Sequence, residues 1–306
     1  MAKLSRTGFL GGLALAATLA TGCQFTAIPR LNAADQAMAG QVKDAMAQLA
    51  KVPATADRFD FVLVGDSRGG LDVLKREMAE IDRLNPAFVI YSGDLVGEGT
   101  EQEYKDGLAV LRTIKAPVFP AVGNHERRND GIKWYYQYFG KDLDYSFDYG
   151  NWRFVSVDNS TGAVTDEQLA WMQAKLAGPQ RKIVFAHMPP PLGIWFVHPF
   201  RGKYKDFMKT VEAAKVDACL FGHIHIFDKA EKRGIRYVVS GGGGAPLYRL
   251  PIFNSREGGA FYHYVVGHAA PTGVTFEVKR LGQVAPQFDT ETVLDTEDPG
   301  EAVSDF

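Results

Sequence analysis

What constrains this chain most is a recurring order, in which a short unbroken apolar run is followed by an amphipathic stretch and then by another apolar run. FVLV at 61 to 64 precedes LDVLKREMAEIDRL, FVIY at 88 to 91 precedes a stretch around EQEYKDGLAVLRTI, and VFPAV follows at 118 to 122. Short apolar runs without alternation fit strands covered on both faces, and apolar residues three and four apart fit the helices that cover them. The resulting βαβ order calls for parallel strands joined by crossover helices. YSFDYGNWRFVSVD at 145 to 158 predicts a hairpin turning at GN. Thr165 and Gln168 have capping-box spacing ahead of the helix EQLAWMQAKLA. Strands are predicted at KIVFAH (182 to 187), DACLFG (217 to 222) and IRYVVSG (235 to 241), with FYHYVV (261 to 266) and GVTFEVKRL (273 to 281) as an antiparallel finish. The predicted fold is a layered α/β domain over about residues 58 to 285, with central mixed β-sheets flanked by helices.

The ends read differently. Residues 1 to 23 carry Lys3 and Arg6, the apolar stretch FLGGLALAATLA and then TGC, the layout of an export signal whose apolar part is too short for a spanning helix. Cys23 after small residues resembles a bacterial lipobox, although Ala20 stands where Leu is usual, and ordinary signal-peptidase cleavage is the competing reading. The expectation is an exported protein of the cell envelope, anchored to a membrane by lipid on Cys23, in the periplasm or at the cell surface. Cys219 is the other cysteine, so a lipidated Cys23 leaves no intramolecular disulfide, and Cys219 in VDACLF reads as a buried, inert residue.

Residues 24 to 57 read as a spacer and a helix with Met38, Val42, Met46 and Leu49 on one face. Residues 286 to 306 read as an acidic tail; from 289 onward they hold seven Asp or Glu and no Lys or Arg. The chain has 34 basic and 36 acidic residues, and losing Lys3 and Arg6 with the leader leaves 32 against 36. With no overall basic field, no nucleic-acid partner is expected.

The polar residues fall in a pattern. Asp66, Asp94, Asn124, His187 and His223 each sit at or just past the carboxyl end of an apolar run, the edge where open α/β sheets place their ligands. The segments are GDSR (65 to 68), GDL (93 to 95), GNHE (123 to 126), AHMPP (186 to 190) and GHIH (222 to 225). Two carboxylates, an amide and three imidazoles supply enough donors for two adjacent divalent or transition-metal ions, with Mn, Fe and Zn all suited to the set. Two such ions suit phosphoester hydrolysis, because they fix the ester oxygens and lower the pKa of water. Asp94, after Gly at a strand end, is placed to reach both.

GD, GD, GNHE, AHxP and GHxH, in that order and with the hairpin between the third and fourth, resemble the calcineurin-like metallophosphoesterases over about residues 60 to 266. The resemblance implies that Asp66 and His225 bind the first metal, Asp94 bridges, and Asn124, His187 and His223 bind the second. It implies that His125 stabilises or protonates the leaving oxygen, and that Glu126 orients neighbours.

Arg68 departs from the pattern, since the family usually has His there, and Gly97 occupies the place where purple acid phosphatases carry Tyr. A guanidinium offers only donors, so Arg68 reads as a phosphate-binding group instead. The expected function is metal-dependent hydrolysis of a small phosphorylated substrate, with phosphomonoesters slightly favoured over phosphodiesters. The alternative is a catalytically weak envelope protein that binds a phosphorylated ligand on the same fold. His198 is a candidate for the crevice wall, WYYQYF at 134 to 139 for core beneath the GNHE loop, and GGGG at 241 to 244 for a close approach of backbone to the site.

Overall fold

The computed structural model describes residues 41–51, 58–249 and 258–282. The leader, Cys23, the spacer before residue 41 and the acidic tail lie outside the described residues. The described part of the expected N-terminal helix is α1 (Gln41–Leu49), which buries Val42, Ala45 and Leu49.

Two sheets face each other. The first holds β1 (Phe59–Val64), β2 (Val89–Tyr91), β3 (Val118–Pro120), β10 (His263–Ala270) and β11 (Gly273–Arg280), in the order β11-β10-β1-β2-β3. β1, β2 and β3 run parallel, and β10 and β11 join antiparallel at the side of β1. The second holds β4 (Tyr145–Tyr149), β5 (Trp152–Ser156), β6 (Arg181–Phe185), β7 (Ala218–Phe221), β8 (Phe227–Lys232) and β9 (Ile235–Ser240), in the order β4-β5-β6-β7-β9-β8. Its inner strands β5, β6, β7 and β9 are parallel, with antiparallel β4 and β8 at the edges.

Period-two alternation decides which layer each side chain joins. In β1, Phe59, Phe61 and Leu63 point between the sheets, while Val62 and Val64 point outward. The outward pair packs under α2 (Leu71–Leu84), α3 (Glu101–Leu111) and α4 (Ile132–Tyr138). Likewise Leu220 of β7 faces the other sheet, and Cys219 faces α5 (Asp166–Lys175) and α6 (Tyr204–Ala213). The result is helix, sheet, sheet, helix, and it explains why the strands read as continuous apolar runs. Cys219 is fully buried, and burial pushes its thiol pKa up, so it is an inert core residue.

Between the sheets lies an aromatic layer. Phe88 is centred 4.9 Å from Phe154 and 5.3 Å from Phe147, both edge-on, and Phe119 stacks on Phe147. These contacts join β2 and β3 to the β4–β5 hairpin, which turns at Gly150 and Asn151 as expected. Both capping boxes form, at Thr100 with Glu103 and at Thr165 with Gln168. Tyr135, Tyr138 and Phe139 are core as expected.

Differences from expectation are local. The apolar run 118 to 122 is strand only through Pro120, because its last residues turn toward GNHE, and β10 begins at His263 rather than 261. β8 was not anticipated: its sequence FDKAEK buries only its first two residues, as an edge strand does.

Glu77 on the inner side of α2 is fully buried, and neither carboxylate oxygen has a hydrogen-bond partner. Burial, with Glu80 adding, raises its pKa well above the ordinary 4.5. A folded-state pKa above the unfolded one means that stability is lost as pH rises past 4.5 toward the folded value. Glu77→Gln removes that titration, so its thermal midpoint is expected to match wild type near pH 4.5 and to exceed it by a margin growing toward pH 7; melting curves across that range check this.

Candidate metal centre

The parallel strands of both sheets end at one edge, and the loops that leave them carry the predicted residues. Asp66 follows β1, Asp94 follows β2, Asn124 and His125 follow β3, His187 follows β6, and His223 and His225 follow β7. Asp66, Arg68, Asp94 and His223 all have positive φ, of 63°, 43°, 55° and 68°. Left-handed backbone outside glycine costs roughly 1–3 kcal/mol per residue and marks a place where surrounding structure holds the chain against its preference.

Backbone hydrogen bonds between the loops hold it there. Asp66 N–H donates to Gly93 O, Arg68 N–H to Asp94 O, and Ala245 N–H to Asp66 O, at 2.8 to 2.9 Å. Ser67 Oγ donates to Leu95 O at 3.0 Å and is met by Tyr91 OH at 2.8 Å. Gly243 donates to Gly65 O at 2.9 Å, and a Cβ on Gly243 would lie 2.3 Å from that oxygen. The glycine run thus touches the backbone of the GDSRGG loop.

The expected ligands come together. Asp94, His187 and His223 present one group of ligand atoms within 4.8 Å of one another, and Asp66, Asp94 and His225 present a second. Asp94 belongs to both. His187 Nδ1–H donates to Ser92 O at 2.7 Å, so Nε2 faces inward, 2.9 Å from Asn124 Oδ1, 3.3 Å from Asp94 Oδ1 and 3.1 Å from His223 Nδ1. His225 Nδ1–H donates to Pro246 O at 2.7 Å, turning Nε2 toward Asp66 Oδ1 at 3.8 Å. Backbone carbonyls that accept from the far ring nitrogen fix which nitrogen is offered to a metal.

Chemistry tests whether a cation fits. Asp66 Oδ2 is buried with no hydrogen-bond partner, and His187 Nε2 points at an amide oxygen, a carboxylate and another imidazole. Carboxylate, amide and imidazole ligand atoms crowded this closely are what a positive ion satisfies. Burial and the neighbouring charges shift the titration of these groups in both directions. Burial raises Asp66 well above the carboxylate range. Burial would also raise Asp94, but His187 and His125 outweigh it and hold Asp94 well below that range. Burial would lower His187, yet Asp94 lifts it to about 9, while burial and Arg68 push His225 down to about 3. The residues fit two adjacent metal ions that share Asp94.

His125 N–H donates to Asp94 Oδ1 at 3.0 Å, and its Nδ1–H donates to Gly97 O at 2.6 Å. Its other nitrogen, Nε2, lies 3.9 Å from Asp94 Oδ2. Glu126 lies beneath and accepts from the backbone N–H groups of Asp94, Leu95 and Gly123 at 2.9, 2.7 and 2.7 Å. It binds the β2 and β3 loops together and orients its neighbours, as the sequence implied. Arg68 and His198 line the cavity over the ligand cluster, as do Arg128 and Tyr248, which the sequence reading missed. Asn159 was also missed: its side chain accepts from His187 N–H and Met188 N–H and donates to Met188 O, setting the AHMPP turn. The cavity measures about 20 Å³. A larger one, about 870 Å³, opens beside the amino ends of β1 to β3, among Gln48, Asn85 and Lys115, and contains none of these groups.

Fold and site together define a two-sheet α/β protein with a carboxylate and imidazole centre for metal ions at the sheet edge. The sequence profile of the calcineurin-like phosphoesterases matches residues 59–227, more than half of the chain, and the chain belongs to that family. It is 28% identical over 206 residues to a probable cyclic nucleotide phosphodiesterase of Rhodopseudomonas palustris, covering 60% of this chain and 74% of the relative. It is 31% identical over 144 residues to the glycerophosphodiester phosphodiesterase GpdQ of Enterobacter lignolyticus, covering 41% of this chain and 52%, about half, of that relative.

Among solved structures, purple acid phosphatase PPD1 of yellow lupin superposes with a TM-score of 0.62 at 20% identity, covering 76% of this chain and 54% of that one. A dimetal phosphatase from Danio rerio gives 0.56 at 13%, covering 72% and 96%. At these identities the likeness shows the fold.

Glu126→Ala would leave three buried backbone donors unpaired at the point where two ligand loops meet. We expect a stability loss of at least about 2 kcal/mol and metal affinity weaker by about 10- to 100-fold. Chemical denaturation and metal titration measure the two separately.

Proposed function

We propose that the protein hydrolyses phosphodiesters with two metal ions, one held by Asp66 and His225, the other by Asn124, His187 and His223, with Asp94 shared between them. The observation that carries this reading is the membership of Asp94 in both ligand groups. Metal ions bound there supply Lewis-acid polarisation of phosphoryl oxygens and lower the pKa of water.

The chain's own side chains do the rest. Arg68, on the cavity wall, donates to a phosphoryl oxygen and orients the ester. Asn124, held against His187, positions the phosphoryl group from the opposite loop. His125, its ring set by donation from Nδ1–H to Gly97 O, stands on the cavity wall and donates a proton to the leaving oxygen. Arg68, Asn124 and His125 share the wall of one cavity, so all three address a group seated over the ligand cluster.

Diesters are favoured over monoesters because the relatives named above act, by name, on cyclic nucleotides and glycerophosphodiesters. The presence of Arg68 had pointed slightly the other way, to a terminal phosphate, and no relative named above supports that preference. Export and a lipid anchor on Cys23 remain our reading of the leader, supported by the basic start, short apolar stretch and cysteine.

Purified protein is expected to hydrolyse bis(p-nitrophenyl) phosphate faster than p-nitrophenyl phosphate when loaded with Mn, Fe or Zn, and to hold two ions per chain by elemental analysis. Asp94→Asn is expected to lower kcat by at least about 100-fold and to reduce the metal content. Full activity in that variant would remove Asp94 from the centre of the reaction, and faster monoester turnover would reverse the substrate assignment.

A further inference from the structure

We propose that Arg128 is a second phosphate anchor at the rim of the site and that Glu98 is the positioning residue that aims it. The proposal rests on the phosphoesterase reading and adds to it a residue from the other side of the loop cluster. Arg128 lines the same small cavity as Arg68, Asp94 and Asn124. Sharing that wall sets the Arg128 guanidinium beside the groups that would face the phosphoryl oxygens.

The backbone beneath Arg128 is specially shaped. The 3-10 segment His125–Asp130 breaks at Arg128, whose φ and ψ are −60° and 145°, and Asn129 and Asp130 follow at positive φ of 47° and 59°. Two glycines lock this kink. A Cβ on Gly99 would lie 2.4 Å from Arg128 O, and one on Gly131 would lie 2.6 Å from Gly99 O. Asn129 Nδ2 donates to Glu98 O at 3.0 Å, tying the kink to the loop after β2.

That loop is braced in turn. Glu103, the capping-box carboxylate of α3, accepts from the backbone N–H groups of Gly97, Glu98 and Thr100 at 2.9 to 3.2 Å. From this braced loop Glu98 Oε1 accepts from Arg128 Nη1 at 3.2 Å. The Glu98 side chain is 58% exposed against 20% for Arg128. A pair with one partner so exposed contributes little to stability, so orientation of the guanidinium is the better account of it. The planar fork of an arginine matches phosphate oxygens as well as it matches a carboxylate.

A group that holds a non-reacting oxygen equally in ground and transition states acts on KM and leaves kcat in place. The test uses metal-loaded full chain, with bis(p-nitrophenyl) phosphate as substrate and inorganic phosphate as a directly titrated ligand in calorimetry. Arg128→Gln is expected to raise both KM and the phosphate Kd about tenfold, the scale of one charge-assisted hydrogen bond, with kcat within about threefold and the melting temperature unmoved. Glu98→Gln is expected to shift both constants the same way by a smaller factor, and it carries the test alone if Arg128→Gln does not fold. Unchanged KM and phosphate affinity in these variants, or a fall in kcat and melting temperature with KM constant, would overturn the proposal and leave Arg128 as a loop brace. Wild-type protein that binds phosphate through Arg128 without hydrolysing esters would sink the phosphoesterase reading and keep the anchor; wild-type protein that does not bind phosphate would sink the anchor.

Discussion

Face-to-face packing of the two sheets is the constraint on which everything else rests. Phe61, Phe88 and Phe119 from one sheet and Phe147, Phe154 and Phe185 from the other fill the space between them. Because the parallel strands of both sheets run toward the same edge, that packing places loops far apart in sequence side by side. Asp66, Asp94 and Asn124 come from the first sheet, and His187, His223 and His225 from the second. Neither sheet alone has a complete ligand group, since each of the two clusters takes residues from both.

The site is assembled in shells. Side chains with inward-facing acceptors form the innermost one, and backbone carbonyls of Ser92, Pro246 and Gly97 hold the rings of His187, His225 and His125. Glu126 and Asn159 then hold the loops by their N–H groups. Positive φ at four site residues shows the outcome of this bracing: the backbone is kept where carboxylates and imidazoles converge rather than where it would relax.

Much of this was legible in the sequence. Strands covered on both faces announce themselves as apolar runs, and a polar residue just past a run marks the loop edge, as Asp66, Asp94, Asn124, His187 and His223 do, while His225 is legible through the GHIH motif and the family resemblance. GNHE, AHMPP and GHIH read as a set because their order matches a family. Arg128, Glu98, Tyr248 and Asn159 were not legible for a physical reason. Arg128, Glu98 and Tyr248 lie in loops placed by tertiary contacts, such as the Gly99 and Gly131 approach, and Asn159, although it follows β5, bonds to the backbone of the AHMPP turn, a contact no motif announces. β8 escaped notice because an edge strand with one end in solvent loses the apolar signature. The preference between ester classes was drawn from a single arginine, and one charged residue does not determine how many substituents a phosphate carries.

The ligand clusters straddle the interface between the sheets, and this ties ion binding to folding. Residues 66 and 225 meet at one point only after some 160 intervening residues have folded into place and the phenylalanine layer has closed. Any cation held there binds the docked sandwich and not a chain whose sheets have come apart, so by mass action it acts as a clasp between the two halves, strengthening with ion concentration. A cation bound there would therefore hold the two sheets together as well as serve the chemistry at their edge.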